Sequence, residues 1–141
     1  MVVLIIDFKR FRTKEEVISY IKASPSSNAR TSAKAEKYLR EHLPKEPYFQ
    51  KKVLEAVKKA RPDAFVWKVS AGPYSRAGIP DVCAVIDGRF YGFEVKRPFI
   101  GEISPLQKKT ADLIRRAGGK VFFVSWPEDA FEALKDESVE G

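Results

Sequence analysis

Three charged side chains lie within a stretch of the sequence that otherwise predicts a buried β-hairpin. Asp81 precedes the apolar run VCAVI, and Glu94 and Lys96 end the following run, RFYGFEVK. An Asp-Gly pair joins the two runs and is typical of a two-residue hairpin turn. This register places Asp81 opposite Glu94, with Cβ atoms about 5 Å apart. Carboxylates this close repel one another, so the pattern predicts a site for a hard divalent cation.

The lysine of this group is predicted to lie beside the two carboxylates. Side chains alternate along a strand, so Glu94 and Lys96 share one face with Gly92, which is expected to leave space next to them. Lys96 then adds a positive charge to the site. The alternative is an exposed hairpin in which Lys96 simply pairs with Glu94, and the facing position of Asp81 favours the cation site.

The elements that must position these residues follow from periodicity and turn residues. Residues 47–60 have the apolar spacing of a core-facing helix. Residues 64–70 alternate as a strand, and Phe65, Trp67 and Val69 are expected in the core rather than as a base-stacking platform. The other predicted elements are strands 82–86 and 89–96, helix 105–117, strand 120–126 and helix 127–135. The resulting order, α-β-β-β-α-β-α, predicts a mixed α/β fold.

The first third of the chain is predicted to be a separate extension that acts as a cap or arm. Residues 2–6 indicate a short strand, and residues 13–22 and 29–43 indicate two helices, the second closed by Pro44. The predicted divisions are an N-terminal extension at 1–45, a main domain at 46–136 and an acidic C-terminal tail at 137–141.

Composition and charge narrow the class of protein. The 141-residue chain carries a formal net charge of +7, and only its end, from Glu128 onward, is acidic. A basic body indicates a polyanionic partner such as a nucleic acid, and solubility explains the same charge equally well. The lone Cys83 excludes an internal disulfide and suits a reducing compartment. No apolar run approaches the length of a membrane span, so we expect a cytoplasmic protein that does not bind membranes.

Four short motifs resemble those of a known superfamily. The segments Gly-Ile-Pro-Asp (78–81) and Glu-Val-Lys (94–96) resemble the motif of the PD-(D/E)xK nucleases. The segments Glu-Pro-Tyr-Phe-Gln (46–50) and Ser-Pro-Leu-Gln (104–107) are similar to its virus-type replication-repair nuclease (VRR-NUC) branch. The resemblance covers about residues 46–126. It implies a restriction-endonuclease-like core with a four-stranded mixed sheet flanked by helices.

The resemblance also implies a chemistry and a set of roles. It implies hydrolysis of phosphodiester bonds with one or two Mg²⁺ or Mn²⁺ ions. Asp81 and Glu94 would bind metal with the carbonyl of Val95, while Lys96 would position water or stabilise developing charge. Gln107 would belong to the active site. The residues themselves also explain Gln107 as the last member of an S-x-x-Q capping box, and one side chain can serve both purposes.

The acid upstream of this set is less clearly defined. Related nucleases often use a glutamate of the first helix as an extra metal ligand, and Glu46 and Glu55 are the candidates. Glu46 shares a helical stripe with apolar residues, whereas Glu55 lies on the lysine-rich side, where an ion pair with Lys59 explains it. Glu46 is therefore predicted to bind metal, and its alternative is an acid favoured by the helix dipole.

The expected partner is DNA, branched or otherwise structured. Candidate contacts are Ser75, Arg76, Arg97 and Lys108, each equally well explained as solvated surface. Stand-alone members of the resembled family include dimers that act on four-way junctions, which makes a homodimer an expectation here. Two rival hypotheses remain. One is a non-catalytic nucleic-acid-binding module that retains the fold, and the other is an interaction protein whose basic arm binds an acidic partner.

Overall fold

The structure, a computed structural model, describes residues 6–70, 72 and 76–137. The contacts within the chain divide it into two compact units, Met1–Pro44 and Lys45–Gly141. The strand predicted at residues 2–6 falls outside the described part except for Ile6, which is not in a strand. Most of the predicted acidic tail also lies outside the described residues.

The first unit contains two short helices that pack against each other, α1 (Lys14–Ala23) and α2 (Ser32–His42). Each begins at a threonine cap, since the side chains of Thr13 and Thr31 accept hydrogen bonds from backbone N–H groups two to three residues inside the helix. The predicted helices are confirmed, although the second begins at residue 32 rather than 29. The reason is that Thr31 caps it there.

The second unit is a four-stranded sheet with three helices, in the predicted order. The strands lie in the order β1-β2-β3-β4, with β1, β2 and β3 antiparallel and β4 parallel to β3. The bounds are α3 (Glu46–Ala60), β1 (Phe65–Lys68), β2 (Val82–Ile86), β3 (Arg89–Val95), α4 (Pro105–Arg116), β4 (Lys120–Val124) and α5 (Pro127–Glu137). The predicted mixed α/β architecture is confirmed, and β2 has the predicted bounds. The other three strands are shorter than predicted because their pairing ends one or two residues earlier.

The core of this unit lies between the sheet and the pair α3 and α5. These two helices pack against each other, and α3 also contacts β1, β2 and β3. Phe49 of α3 and Phe93 of β3 are fully buried, and the ring of Phe49 meets Trp126 edge-on at 5.4 Å. Because side chains alternate, Phe93 faces this core and Glu94 faces the opposite side of the sheet, where α4 lies.

The hairpin of β2 and β3 has the predicted turn and register. Asp87 and Gly88 both adopt positive φ, 52° and 78°, as a two-residue turn with the twist of the strands requires. Pairing runs from Ile86 and Arg89 to Val82 and Phe93. One further step along this register brings Asp81 opposite Glu94.

The expectation that Phe65 belongs to the core is wrong. Its side chain is 70% exposed, and Trp67 is only half-buried. The two rings contact each other at 5.5 Å on the face opposite α3. The helix on that face, α4, packs against β4 at the far side of the sheet and leaves β1 uncovered.

Candidate metal centre

Asp81 is held in place through its backbone and its side chain. It immediately precedes β2, and its carbonyl oxygen accepts a hydrogen bond of 2.8 Å from the backbone N–H of Val69. Its Oδ2 accepts another of 2.8 Å from the backbone N–H of Val95. The carboxylate is thus fixed across the ends of β1, β2 and β3.

Glu94 is a carboxylic acid that the protein buries almost completely, with 1% of its surface exposed. Burial, followed by the hydrogen bond and the charge repulsion from Asp81, raises the pKa of Glu94 to about 8. The positive charge of Lys96 opposes this rise without cancelling it. At neutral pH the carboxyl groups of Asp81 and Glu94 together therefore carry less than two negative charges. A cation bound between them would favour the fully ionised pair.

Lys96 directly follows β3 and is fixed by the strand beside it. Its backbone N–H donates a hydrogen bond of 2.9 Å to the carbonyl of Val124. A close turn then folds back over it, since the N–H of Gly101 donates to the carbonyl of Arg97 at 3.0 Å. A Cβ at Gly101 would stand only 2.7 Å from the Cβ of Lys96, so this turn requires glycine.

Gln107 links the start of α4 to the buried acid. Its Nε2 donates a hydrogen bond of 2.9 Å to Oε1 of Glu94. Its Oε1 accepts from the N–H of Ser104 at 2.9 Å, and the Ser104 hydroxyl accepts from the N–H of Gln107 at 3.1 Å. The predicted capping box is therefore confirmed, and both ends of the same amide are occupied, one by the cap and one by Glu94.

Glu46 lies at the first position of α3, near the pair but apart from it. Its Oε1 accepts a hydrogen bond of 3.2 Å from Nε2 of Gln50. Partial burial and the charge of Asp81 raise the pKa of Glu46, while Lys96 opposes the rise. The described residues 6–70, 72 and 76–137 contain no group of three or more His, Cys, Asp or Glu side chains that could hold a metal ion. Metal binding by Glu46 therefore stays a prediction.

Two glycines and a proline set the distances between these elements. Gly78, at a φ of +87°, lies so close to α4 that a Cβ would stand 2.5 Å from Oγ1 of Thr110. At Gly92 the expected free space is absent, because the ring of Pro80 fills it and a Cβ would stand 2.6 Å from its Cγ. Pro80 thereby packs the segment before Asp81 onto β3.

The candidate DNA contacts fall on two sides of the carboxylates. Arg76 lines a cleft of about 300 Å³, which it shares with Asp81. 

Arg97 and Lys96 line a second cleft of about 290 Å³ at the end of β4. Lys108 is exposed on α4, and Ser75 lies outside the described residues. Each cleft thus combines one arginine with one residue of the candidate centre.

Sequence reasoning missed several residues that support the site. Gln50 is buried and donates a hydrogen bond to Glu46. The sequence indicates this contact by a polar residue four positions after Glu46, in an otherwise apolar helical stripe. Pro80 and Gly101 carry no comparable signal, because their contacts are made between elements. Buried Cys83 lies under the site, where burial and the nearby carboxylates raise the pKa of its thiol to about 11.

The donor set fits a hard divalent cation. Two carboxylates that face each other offer oxygen ligands of the kind that Mg²⁺ and Mn²⁺ prefer. Burial, together with the hydrogen bond and charge of Asp81, raises the pKa of Glu94 more than the charge of Lys96 lowers it. Mg²⁺ usually keeps several waters and binds one or two protein carboxylates, so two acids are enough for such a site.

Taken together, the elements of the second unit form a mixed α/β domain in which two facing carboxylates and a lysine lie at one end of the sheet. A solved structure of a VRR_NUC domain has the same fold: it covers 64% of this chain and 94% of its own length, with a TM-score of 0.53 and 24% identity. The similarity confirms the fold that the motifs predicted. No family model matches the chain, and no curated protein matches it. In the part of the chain that the structure describes, no helix is long and apolar enough to cross a membrane.

Proposed function

We propose that this protein is a Mg²⁺- or Mn²⁺-dependent DNA endonuclease that hydrolyses phosphodiester bonds. The observation that carries the proposal is the buried Glu94 facing Asp81, with a pKa raised to about 8 and Lys96 beside it. Such a pair is unfavourable in an empty site and becomes favourable when a cation binds between the carboxylates. The nuclease-type fold and the basic charge of the chain support the same conclusion.

Each residue of the centre has a role in this proposal. Asp81 and Glu94 hold the ion together with the carbonyl oxygen of Val95. When bound, the ion polarises a phosphoryl oxygen and lowers the pKa of a coordinated water. Lys96 places its ammonium where negative charge accumulates on the phosphate. Gln107 donates a hydrogen bond to Oε1 of Glu94 and so would hold this carboxylate in place for the ion.

Glu46 is proposed to act through water. It lies close enough for Asp81 to raise its pKa, but it does not join the pair in a three-acid cluster. An ion that keeps several of its waters can use such a carboxylate as a hydrogen-bond acceptor. The contact from Gln50 orients Glu46 toward this role.

Cleavage assays with variants of the centre test the proposal. We expect Lys96→Met and Asp81→Asn each to reduce cleavage by about 10²–10³-fold, because each removes charge stabilisation in the transition state. Asp63→Asn is the matched control, since Asp63 also follows a proline but is exposed on the connection between α3 and β1. The substrates are single-stranded, duplex, flapped and four-way-junction DNA, with Mg²⁺, Mn²⁺ or a chelator. The proposal fails if wild-type protein leaves all of them intact with either metal.

Preference for branched DNA and assembly as a homodimer are part of the proposal. A symmetric dimer would present two sites to two strands, which suits a four-way junction. Competition between junction and duplex of equal length measures the preference, and solution mass measures the assembly. A monomeric mass together with equal cleavage of both substrates would remove this part of the proposal.

A second candidate function is a nucleic-acid-binding module without catalysis. The observation that favours it is the lack of a three-acid cluster within the described residues. Binding and cleavage distinguish the two functions. A protein that binds DNA equally well with and without Mg²⁺, and that cuts none of the substrates, is the binding module.

A further inference from the structure

Two aromatic side chains on β1 form an exposed surface that the proposed chemistry does not use. Phe65 is 70% exposed and Trp67 is half-buried, and their ring centroids lie 5.5 Å apart. We refer to them as the aromatic pair. Large apolar side chains seldom stay this exposed, and an exposed apolar patch marks a binding surface more often than an isolated residue does.

The aromatic pair lies on the same face of the sheet as the candidate metal centre. Trp67 pairs with Cys83, and the N–H of Val69 donates to the carbonyl of Asp81 at 2.8 Å. Directly paired residues share a face, so Phe65, Trp67 and Val69 follow one another toward Asp81. Each step covers two residues, or about 7 Å, so Trp67 lies about 7 Å and Phe65 about 13 Å along β1 from the level of Asp81.

The arrangement of the helices leaves this surface open. On the opposite face α3 packs against β1, β2 and β3, whereas α4 packs against β4. Val85 is paired with Phe65 and is itself 42% exposed, so the open region extends from β1 onto β2. Among the described residues of the second unit, no helix covers Phe65.

We infer that the aromatic pair stacks against unpaired bases of a single-stranded segment of DNA that leads to the cleavage site. The inference rests on the proposed function, because it takes the phosphate at Asp81, Glu94 and Lys96 as the starting point of the strand. Nucleotides adjacent to that phosphate lie within the distances that separate the aromatic pair from Asp81. Exposed aromatic rings bind bases of any sequence, since every base presents a π-face.

Charge favours nucleic acid over a second copy of the chain as the occupant. The chain carries a formal net charge of +7, which attracts a polyanion such as DNA. The pair is also aromatic and continuous with the face that holds the carboxylates. An aliphatic patch of the same size would lack the flat rings that stacking requires.

Substitutions at Phe65 test the inference, because its exposure makes them harmless to the fold. Phe65→Leu keeps an apolar side chain without an aromatic ring, and Phe65→Tyr keeps the ring. Affinity is measured with the full-length protein, Ca²⁺ in place of Mg²⁺, and a labelled single strand or its blunt duplex. We expect Phe65→Leu to weaken single-strand binding about tenfold and to leave duplex binding unchanged. We expect Phe65→Tyr to leave both affinities unchanged.

The matched control is Phe131→Leu, which alters another partly exposed phenylalanine, 37% exposed on α5. It should leave both affinities unchanged. The inference is overturned if Phe65→Leu binds the single strand as wild type does, or if it weakens duplex binding equally. It is also overturned if Phe65→Leu instead abolishes a dimer in solution, which would make the surface a self-association site.

The outcome also separates this inference from the proposed function. Binding in Ca²⁺ requires no cleavage. If the wild-type protein cuts no DNA and the Phe65→Leu variant binds the single strand more weakly, the stacking surface is retained and the nuclease proposal is refuted. If the wild-type protein cuts DNA and the Phe65→Leu variant binds the single strand with unchanged affinity, the nuclease proposal is retained and the stacking surface is refuted.

Discussion

Glu94 determines the electrostatics of the site at the residue scale. Its side chain is almost fully buried, faces Asp81 and accepts a hydrogen bond from Gln107. In the absence of a cation, protonation is the simplest way for the protein to relieve the repulsion. A metal ion bound at this site would therefore compete with the proton for the same oxygens.

This competition predicts how the stability of the metal-free protein depends on pH. The pKa of Glu94 rises from its ordinary 4.5 to about 8 in the folded protein, so between these values the folded state binds more protons than the unfolded state. The free energy of unfolding should therefore fall as pH rises from about 4.5 to about 8 and level off beyond it. Thermal melts in a chelator across this range measure the effect.

Glu94→Gln is the matched variant for that measurement, because its amide does not titrate. It should show a smaller fall in melting temperature over the same pH range than the wild type. Mg²⁺ should raise the melting temperature of the wild type most at the alkaline end, where fewer protons compete. Equal slopes for wild type and variant would contradict the prediction.

Individual residues also show what the sequence can reveal. The juxtaposition of Asp81 and Glu94 could be predicted, because a two-residue turn and strict pairing determine it. The contact between Gln107 and Glu94 was only one of two alternatives, since capping alone explained the glutamine. The contacts of Pro80 with Gly92 and of Gly101 with Lys96 could not be predicted, because they depend on how loops return to the sheet.

At the scale of elements, the first turn of α4 joins helix capping to the site. Ser104 and Gln107 cap the helix reciprocally, and the same glutamine reaches Glu94. The position of α4 on the sheet thus determines where this donor lies. Gly78, against Thr110, brings the segment before Asp81 to the same helix.

Two substitutions separate capping from the site. Ser104→Ala should lower stability by about 1 kcal/mol and leave cleavage nearly unchanged, because only the cap is lost. Gln107→Glu keeps a capping acceptor but replaces the donor to Glu94 with a third carboxylate, so cleavage should fall about tenfold or more. Urea unfolding and cleavage rates measure the two effects. Equal effects of both variants on cleavage would show that the contact with Glu94 has no role of its own.

The elements themselves were largely predictable, and the exception is instructive. Turn residues and periodicity located all four strands and three helices of the second unit, apart from one or two residues at the ends. The alternation of Phe65, Trp67 and Val69 predicts that these side chains are buried, yet Phe65 is exposed. Alternation shows which side chains share a face, but it does not show how far a helix extends over that face.

At the scale of the whole molecule, the second unit contains the sheet and all described residues of the centre. The unit Lys45–Gly141 includes Glu46 and Gln107 as well as the hairpin between them. The fold similarity covers 64% of the chain, a share close to that of this unit. The residues proposed to carry the chemistry thus lie in one of the two units.

A fragment of residues 45–141 should therefore fold and retain metal-dependent cleavage. Its core, with Phe49 and Phe93 fully buried, lies between elements that the fragment contains. A cooperative thermal melt by circular dichroism and cleavage of the best full-length substrate provide the measurement. A fragment that folds but does not cut would assign residues 1–44 a direct part in catalysis or substrate binding.

The buried thiol of Cys83 can report on motion of the hairpin in which it lies. Its Sγ lies 3.6 Å from the carbonyl oxygen of Pro80, and its pKa of about 11 keeps it protonated at neutral pH. Alkylating reagents act on exposed thiolates, so they can modify this residue only when β2 transiently separates from its neighbours. Because the chain has one cysteine, the rate of that modification measures how often the hairpin beneath the candidate metal centre opens.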